Sequence, residues 1–432
     1  MYTKSKRTGT IFLGIIFSVI FLGCYSFSFA QTEQPDTETL YREGMYLKEK
    51  GDLFSAIEAF NSILSAQPSL NRVRLELAVA YYRAMNYEES KRQAEMVLKD
   101  PNIPESVRLS ILAFLAQVKK DEEDFLTKRQ VFEPSVSFGL LYDSNVNAGP
   151  AESIIQVTDI TLTLTPQSVR QSDWAAFLSA GLTHRYQFPD SVRIGDKVGR
   201  FIWISEANAY RKQYFREEDF NLDVLSLSTG PSLMVLQAWR ASLIGRVDYL
   251  RLSDENLAWY LSLSPSVSWQ YKNSEFTWDA LILNRDFTED VDAGRDSIYL
   301  STGLYYGYLF KEGKYAVQAG ARVFQEDADF NRFSNDGTEI LIGVNMVAWA
   351  NGSVYARASQ KDIDYDGKEP VFAESRNERE RRYEIGFNHL FRENVLKEWK
   401  LSGSYAYTEN DSNVDIYNYR RDVTAVSLSR VF

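Results

Sequence analysis

The chain has 432 residues, room for two domains with cores of their own, and a formal net charge of -11. That acidic balance excludes nucleic acid as the main partner, because phosphate binding needs a basic face. Its 26 Tyr and 8 Trp suit aromatic girdles at two membrane interfaces, although a large secreted sandwich would carry them too.

Residues 1–30 read as a signal peptide. Lys4, Lys6 and Arg7 form a basic start, Ile11–Phe21 an apolar segment, and Ser28-Phe29-Ala30 a small-x-small cleavage site. The sole cysteine, Cys24, lies in this segment, and Phe21-Leu22-Gly23-Cys24 leaves a lipoprotein signal open. A chain cleaved after Ala30 would have no thiol for a disulfide or a thiolate metal site. No later apolar run approaches the roughly 18 residues of a spanning helix, so a membrane crossing would need a closed barrel.

Residues 31–120 carry helical periodicity and a tetratricopeptide-like pattern. Gly44, Ala56, Phe60 and Pro68 mark the first unit, with small residues where paired helices approach. A second unit follows at a spacing of about 34 residues, with Ala78, Tyr81 and Ala94 in the corresponding places. A plain helical bundle would satisfy the same pattern. A further helix, Glu105–Lys120, places Val107, Leu109, Leu112, Leu115, Ala116 and Val118 on one face and is expected to cap the array. The charged stretch 121–131 is expected as a linker.

From 132 to 432 the apolar period changes from helical to two. Phe132, Val136, Phe138, Leu140 and Tyr142 alternate with Glu133, Ser135, Ser137, Gly139 and Asp143. About fourteen such segments follow, one face apolar and the other admitting Arg, Glu, Gln and Gly, which is the outer-membrane barrel pattern. The fold class is thus an all-α repeat-like domain followed by an all-β antiparallel transmembrane barrel. Long charged connections, such as Gln360–Arg381, alternate with short ones, and Asp190–Lys197 is the exception. An even strand count puts both ends of the barrel, and the helical domain, in the periplasm.

Arg185, Arg322, Arg382 and Glu384 fall on the luminal side, either lining a conduit or pairing across it. Tyr142, Asp143, Asn145 and Asn147 form the barrel-entry motif, read as turn formers at the rim. Phe432 ends the last strand as an assembly signal would, although Arg430 departs from that pattern. His184 and His389 are isolated, and no HExxH, CxxC, GxSxG or P-loop occurs, so neither an enzyme nor a cofactor is expected. Asp362, Asp364 and Asp366 alternate like a calcium loop but lack its closing Glu; they read as solvated loop charge, as do Glu217–Asp219 and Glu289–Asp292.

The repeat pair, the helix up to Lys120 and the junction Tyr142–Asn147 opening a barrel resemble the surface lipoprotein assembly modifier family. The resemblance spans nearly all of the chain after residue 30. It implies an outer-membrane translocon that delivers lipoproteins or related secreted proteins to the cell surface. Its partners would be the client, the barrel-assembly machinery and outer-membrane lipid, with the helical domain receiving the client in the periplasm. A polysaccharide-export porin and a passive solute porin are the alternatives.

Overall fold

The structure, a computed structural model, describes residues 36–432 except 102, 158–159, 236–237, 370–371 and 373. The segment read as a signal peptide lies outside the described residues.

Among the described residues five helices come first: α1 (Thr37–Lys50), α2 (Leu53–Ala66), α3 (Asn71–Arg83), α4 (Tyr87–Leu98) and α5 (Glu105–Thr127). Gly51, at φ 84°, ends α1 by donating its N–H to Leu47 and Lys48 carbonyls, a left-handed cap that favours glycine. α2 buries Leu53, Ala56, Ile57, Phe60, Ile63 and Leu64 at helical spacing, and Phe60 is fully buried. A Cβ on Gly44 would stand 2.7 Å from Phe60 Cε1, so the missing side chain admits the ring. Ala78 and Ala94 share a second cluster with Val97 and Ile111. Tyr81 packs on the first cluster, and exposed Pro68 lies between α2 and α3.

α5 differs from expectation twice. It continues past Lys120 to Thr127, so most of the charged stretch 121–131 expected as a linker is helical, and the first strand opens at Gln130. Its apolar residues also divide between two faces. Val107, Ile111, Phe114 and Leu115 pack on α4's cluster, and Val118 is buried, whereas Leu109 and Leu112 are exposed. At 100° per residue the six positions cannot share one narrow stripe.

The remaining strands are β1 (Gln130–Asp143), β2 (Ile154–Val157), β3 (Ile160–Thr163), β4 (Asp173–Ile194), β5 (Lys197–Tyr214), β6 (Leu222–Val235), β7 (Trp239–Leu252) and β8 (Glu255–Tyr271). They continue with β9 (Ser274–Phe287), β10 (Ser297–Phe310), β11 (Tyr315–Ala328), β12 (Asn335–Trp349), β13 (Gly352–Lys368), β14 (Ser375–Leu390), β15 (Lys400–Ser412) and β16 (Tyr419–Val431). β1 and β4–β16 form a closed fourteen-stranded antiparallel barrel, and β2–β3 is a small hairpin in the first long loop. β1 meets β16 from Ser135 opposite Val431 to Asp143 opposite Val423, which leaves the barrel no open edge along that span.

The register fixes the two faces. Phe138, Leu140, Leu178, Leu261, Ile282, Ile340, Ile342 and Ile385 are exposed on the outside, where lipid replaces water. Tyr142 against Trp174 and Tyr249 against Trp259 mark one interface, and Tyr186 against Phe188 and Phe276 against Tyr306 the other. This exterior makes the barrel an outer-membrane one. His184 stacks on Phe132 on this face, and His389 Nδ1 accepts from Trp349 Nε1 at 3.0 Å.

The connection expected over Gln360–Arg381 is mostly strand. β13 runs to Lys368 and β14 starts at Ser375, so Asp362, Asp364 and Asp366 lie in a strand, not in a loop, and Asp362 and Asp364 pair with both β12 and β14 in the barrel wall. Arg379, opposite Asp362, pairs with its carboxylate.

Candidate functional site

The luminal wall combines small residues with interleaved charge. β8 turns Ser262, Ser264, Ser266 and Ser268 inward, opposite Arg246, Ile244, Ser242 and Arg240 of β7. Arg185, Arg322, Arg382 and Glu384 all fall on the inward side. Each is held by a neighbour along the wall: Arg185 by Glu133 at 2.7 Å, Arg322 by Asp279 at 3.2 Å, and Arg382 by Glu384 at 3.0 Å. These three pairs join residues of the same or nearby strands and not of opposite walls. Among these described residues the two signs are mixed along the wall.

One side of the wall opens into a bay of about 770 Å³, between β8 and β13 at the helical end. Tyr305 lies flat there: Cβ atoms on Gly303 and Gly320 would stand 2.7 Å from its Oη and 2.2 Å from its Cδ1. Tyr355 covers Gly386 in the same way. Glycines on neighbouring strands thus let two rings fold against the wall and keep the bay wide.

The helical end is organised by the stretch that broke the loop pattern. β4 pairs with β1 only to Tyr186, and β5 meets β6 only from Gly199, so Gln187–Val198 projects beyond the barrel as a two-stranded strut. Its tip is tight enough to need Gly195 at φ 60°. Val198 is buried in the α1–α3 core with Leu53 and Ile57. Asp196 accepts the Ser55 N–H at 2.9 Å and its hydroxyl at 2.8 Å, capping α2, whose own Asp52 makes no side-chain cap. Lys197 Nζ lies 3.1 Å from Asp52, Arg193 Nη1 2.5 Å from Glu58, and the Arg200 guanidinium 4.2 Å over the Phe125 ring. Hydrogen bonds from Lys50 and Lys197 hold the Asp52 carboxyl below the usual carboxylate range. Within the helices, a hydrogen bond to Asp121 pushes the Tyr82 phenol up to about 12 and ties α3 to α5.

At the loop end, Asp143 and Asn145 are buried and do more than shape a turn. Asp143 accepts from Tyr214 Oη at 2.8 Å, Asn145 N at 3.0 Å, and Arg421 Nε and Nη2 at 3.0 and 2.5 Å. The carboxylate of the first strand therefore holds the guanidinium of the last. Asn145 Nδ2 donates to the Gly149 and Arg420 carbonyls, and Asn147 Nδ2 to those of Gln167 and Val169. Tyr142, in contrast, faces lipid beside Trp174.

Sequence reasoning missed Arg376, which is 8% exposed, with the Tyr365 and Tyr417 rings 3.7 and 3.9 Å away and Glu378 at 3.1 Å. Its only sequence signal is an arginine among acidic residues, which surface loops show equally. Phe432 donates its N–H to the Pro134 carbonyl at 2.8 Å, and Arg430 lies 4.7 Å over its ring.

A family model described as a protein of unknown function (DUF2860) matches residues 260–429, within β8–β16. No curated protein matches the chain. Solved structures similar to it include Acinetobacter baumannii OccAB4, at 10% identity and TM-score 0.33, covering 70% of this chain and 98% of that one. Pseudomonas aeruginosa OprD, at 9% identity and TM-score 0.36, covers 71% and 95%. The outer membrane protein opdK of Pseudomonas aeruginosa, at 8% and 0.35, covers 71% and 99%. Likeness at these scores assigns no activity to the chain.

Proposed function

We propose that the barrel is an export conduit that helps deliver surface lipoproteins, or related secreted proteins, across the outer membrane. The helical array stands in the periplasm as a tetratricopeptide-like receiver, and the client passes from it to the lumen. The observation that carries this reading is the strut: β4–β5 leaves the barrel to cap α2, fixing the array beside the mouth. A passive solute channel has no use for such a clamp. The order of domains and the Tyr142–Asn147 junction agree with the resemblance to the surface lipoprotein assembly modifiers. The barrel-assembly machinery would insert the chain, reading its terminal Phe432.

The test is deletion of the gene followed by protease shaving of intact cells. Loss of one or more lipoproteins from the shaved set, restored by the full chain but not by the barrel from residue 128 onward, is expected. An unchanged surface set rejects the reading. A second reading, a channel for solutes or polysaccharide, draws on the luminal bay and its mixed charge; unaltered lipoprotein exposure together with lost solute uptake or lost capsule would favour it.

A further inference from the structure

The helices α1, α3 and α5 begin at Thr37, Asn71 and Glu105, in successive steps of 34 residues. By this register α5 is the first helix of a third repeat unit, although the chain turns into β1 after it. The packing agrees. α3 divides its apolar residues between two faces: Val73, Leu77, Ala80 and Ala84 pack back on the first cluster, while Leu75 and Ala78 pack forward on the second, with Ala94 and Val97 of α4. Advanced by 34 positions, the backward set becomes Val107, Ile111, Phe114 and Val118. The first three join the second cluster, and Val118 is buried. The forward set becomes Leu109 and Leu112, which are 59% and 48% exposed. Ala113 and Ala116 are exposed beside them. A helix that closes a repeat array carries a polar outer face. α5 instead carries an apolar stripe where the second helix of its own unit would lie.

The two complete units show what such a stripe accepts. α2 buries Ala56, Phe60 and Ile63, and α4 buries Ser90, Ala94 and Val97 at the same positions 34 residues later. The middle residue of each set meets the helix before it. Phe60 fills the space that Gly44 leaves, and Ala94 shares a cluster with Ala78. Leu112 stands where Gly44 and Ala78 stand, so the larger side chain is now on the first helix. The incoming helix must therefore place a small residue against it, since extra volume in a packed contact is destabilising. A second copy of the chain has no such helix to spare, because the matching residues of α2 and α4 are buried in their own units.

We propose that an amphipathic helix of a partner protein completes this third unit, lying along Leu109, Leu112 and Ala116 with Gly or Ala opposite Leu112 and an apolar residue three positions further on. The inference goes beyond the export reading and does not rest on it: an unchanged surface set on protease shaving would leave it standing.

A labelled peptide of the α4 sequence, residues 86–99, stapled between the exposed positions 88 and 92, supplies a helix of this kind. Its fluorescence anisotropy against the detergent-solubilised full chain is the test. Saturable binding is expected, lost on Leu112→Glu and weakened about tenfold by Ala94→Leu in the peptide, which overfills the space opposite Leu112. Leu112→Ala in the protein should restore binding of the Ala94→Leu peptide. This crossed dependence separates contact from misfolding, and unchanged helical circular dichroism checks the fold of each variant. No saturable binding, equal affinity for the two peptides, or indifference to Leu112→Glu would overturn the proposal. So would a dimer in analytical ultracentrifugation that Leu112→Glu dissociates, since the stripe would then belong to a second copy.

Discussion

Asp196, at the tip of the β4–β5 hairpin, caps the helix that contains Ser55, 141 residues earlier, through hydrogen bonds of 2.9 Å to its N–H and 2.8 Å to its hydroxyl. The first turn of α2 thus obtains from the barrel a partner that its own Asp52 does not supply. Asp196→Ala should cost the helical domain about 1 kcal/mol, the usual worth of an N-cap. The helical circular-dichroism transition should fall by several degrees, while the barrel's heat-modifiable gel mobility stays put. Equal losses in both would show that the clamp is not local.

The same junction carries a pH dependence. Lys50 and Lys197 hold the folded Asp52 carboxyl below its ordinary value of 3.8. A depressed carboxylate stabilises the fold above the unfolded pKa, and that contribution is lost as pH falls through the folded one. The helical domain should therefore melt earlier at pH 3 than at pH 6, and Lys197→Ala should shrink the difference. Thermal scans of both proteins across that range are the check.

Phe60→Ala removes a fully buried ring that Gly44 makes room for. About 3–5 kcal/mol is the usual cost of such a cavity, enough to unfold a domain this small. Limited proteolysis should then cut within 37–127 and leave a resistant barrel fragment. A full-length product under the same digestion would contradict the packing described.

Across the seam, Asp143 and Arg421 join the first and last strands. Removing one member of a buried pair leaves an uncompensated charge and costs about 3–5 kcal/mol, with partial solvent access of Arg421 keeping the loss near the lower value. Arg421→Ala should lower the temperature at which the barrel unfolds on gels. The double variant Asp143→Asn with Arg421→Gln should recover part of the loss. A double variant as weak as the sum of the singles would deny the coupling.

Gly320→Val would drive the Tyr305 ring off the wall, since even a Cβ there meets it at 2.2 Å. If the bay lies on the conducting path, single-channel conductance in planar bilayers should fall clearly, with barrel stability little changed. Tyr305→Ala in the same background should restore it.

Much of this architecture was legible in the order of residues. Side-chain alternation along Phe132–Asp143 and its counterparts identifies the lipid and luminal faces, because a strand's period is two wherever it sits. Small residues at Gly44, Ala56 and Ala78 announce close helix packing for the same local reason. What alternation cannot supply is the partner. Asp190–Lys197 read as an anomalous connection because its meaning lies in Ser55, Asp52 and Glu58. Asp143 read as a turn former because its guanidinium partner, Arg421, arrives 278 residues later. Leu109 and Leu112 were grouped with Val107 and Val118, since spacing tells which residues share a helix face only once a neighbour chooses that face. Local periodicity thus determined the fold class and the two faces of the barrel wall. Closure of the barrel and docking of the strut decided which charges meet, because those contacts join segments that are close only in the folded chain.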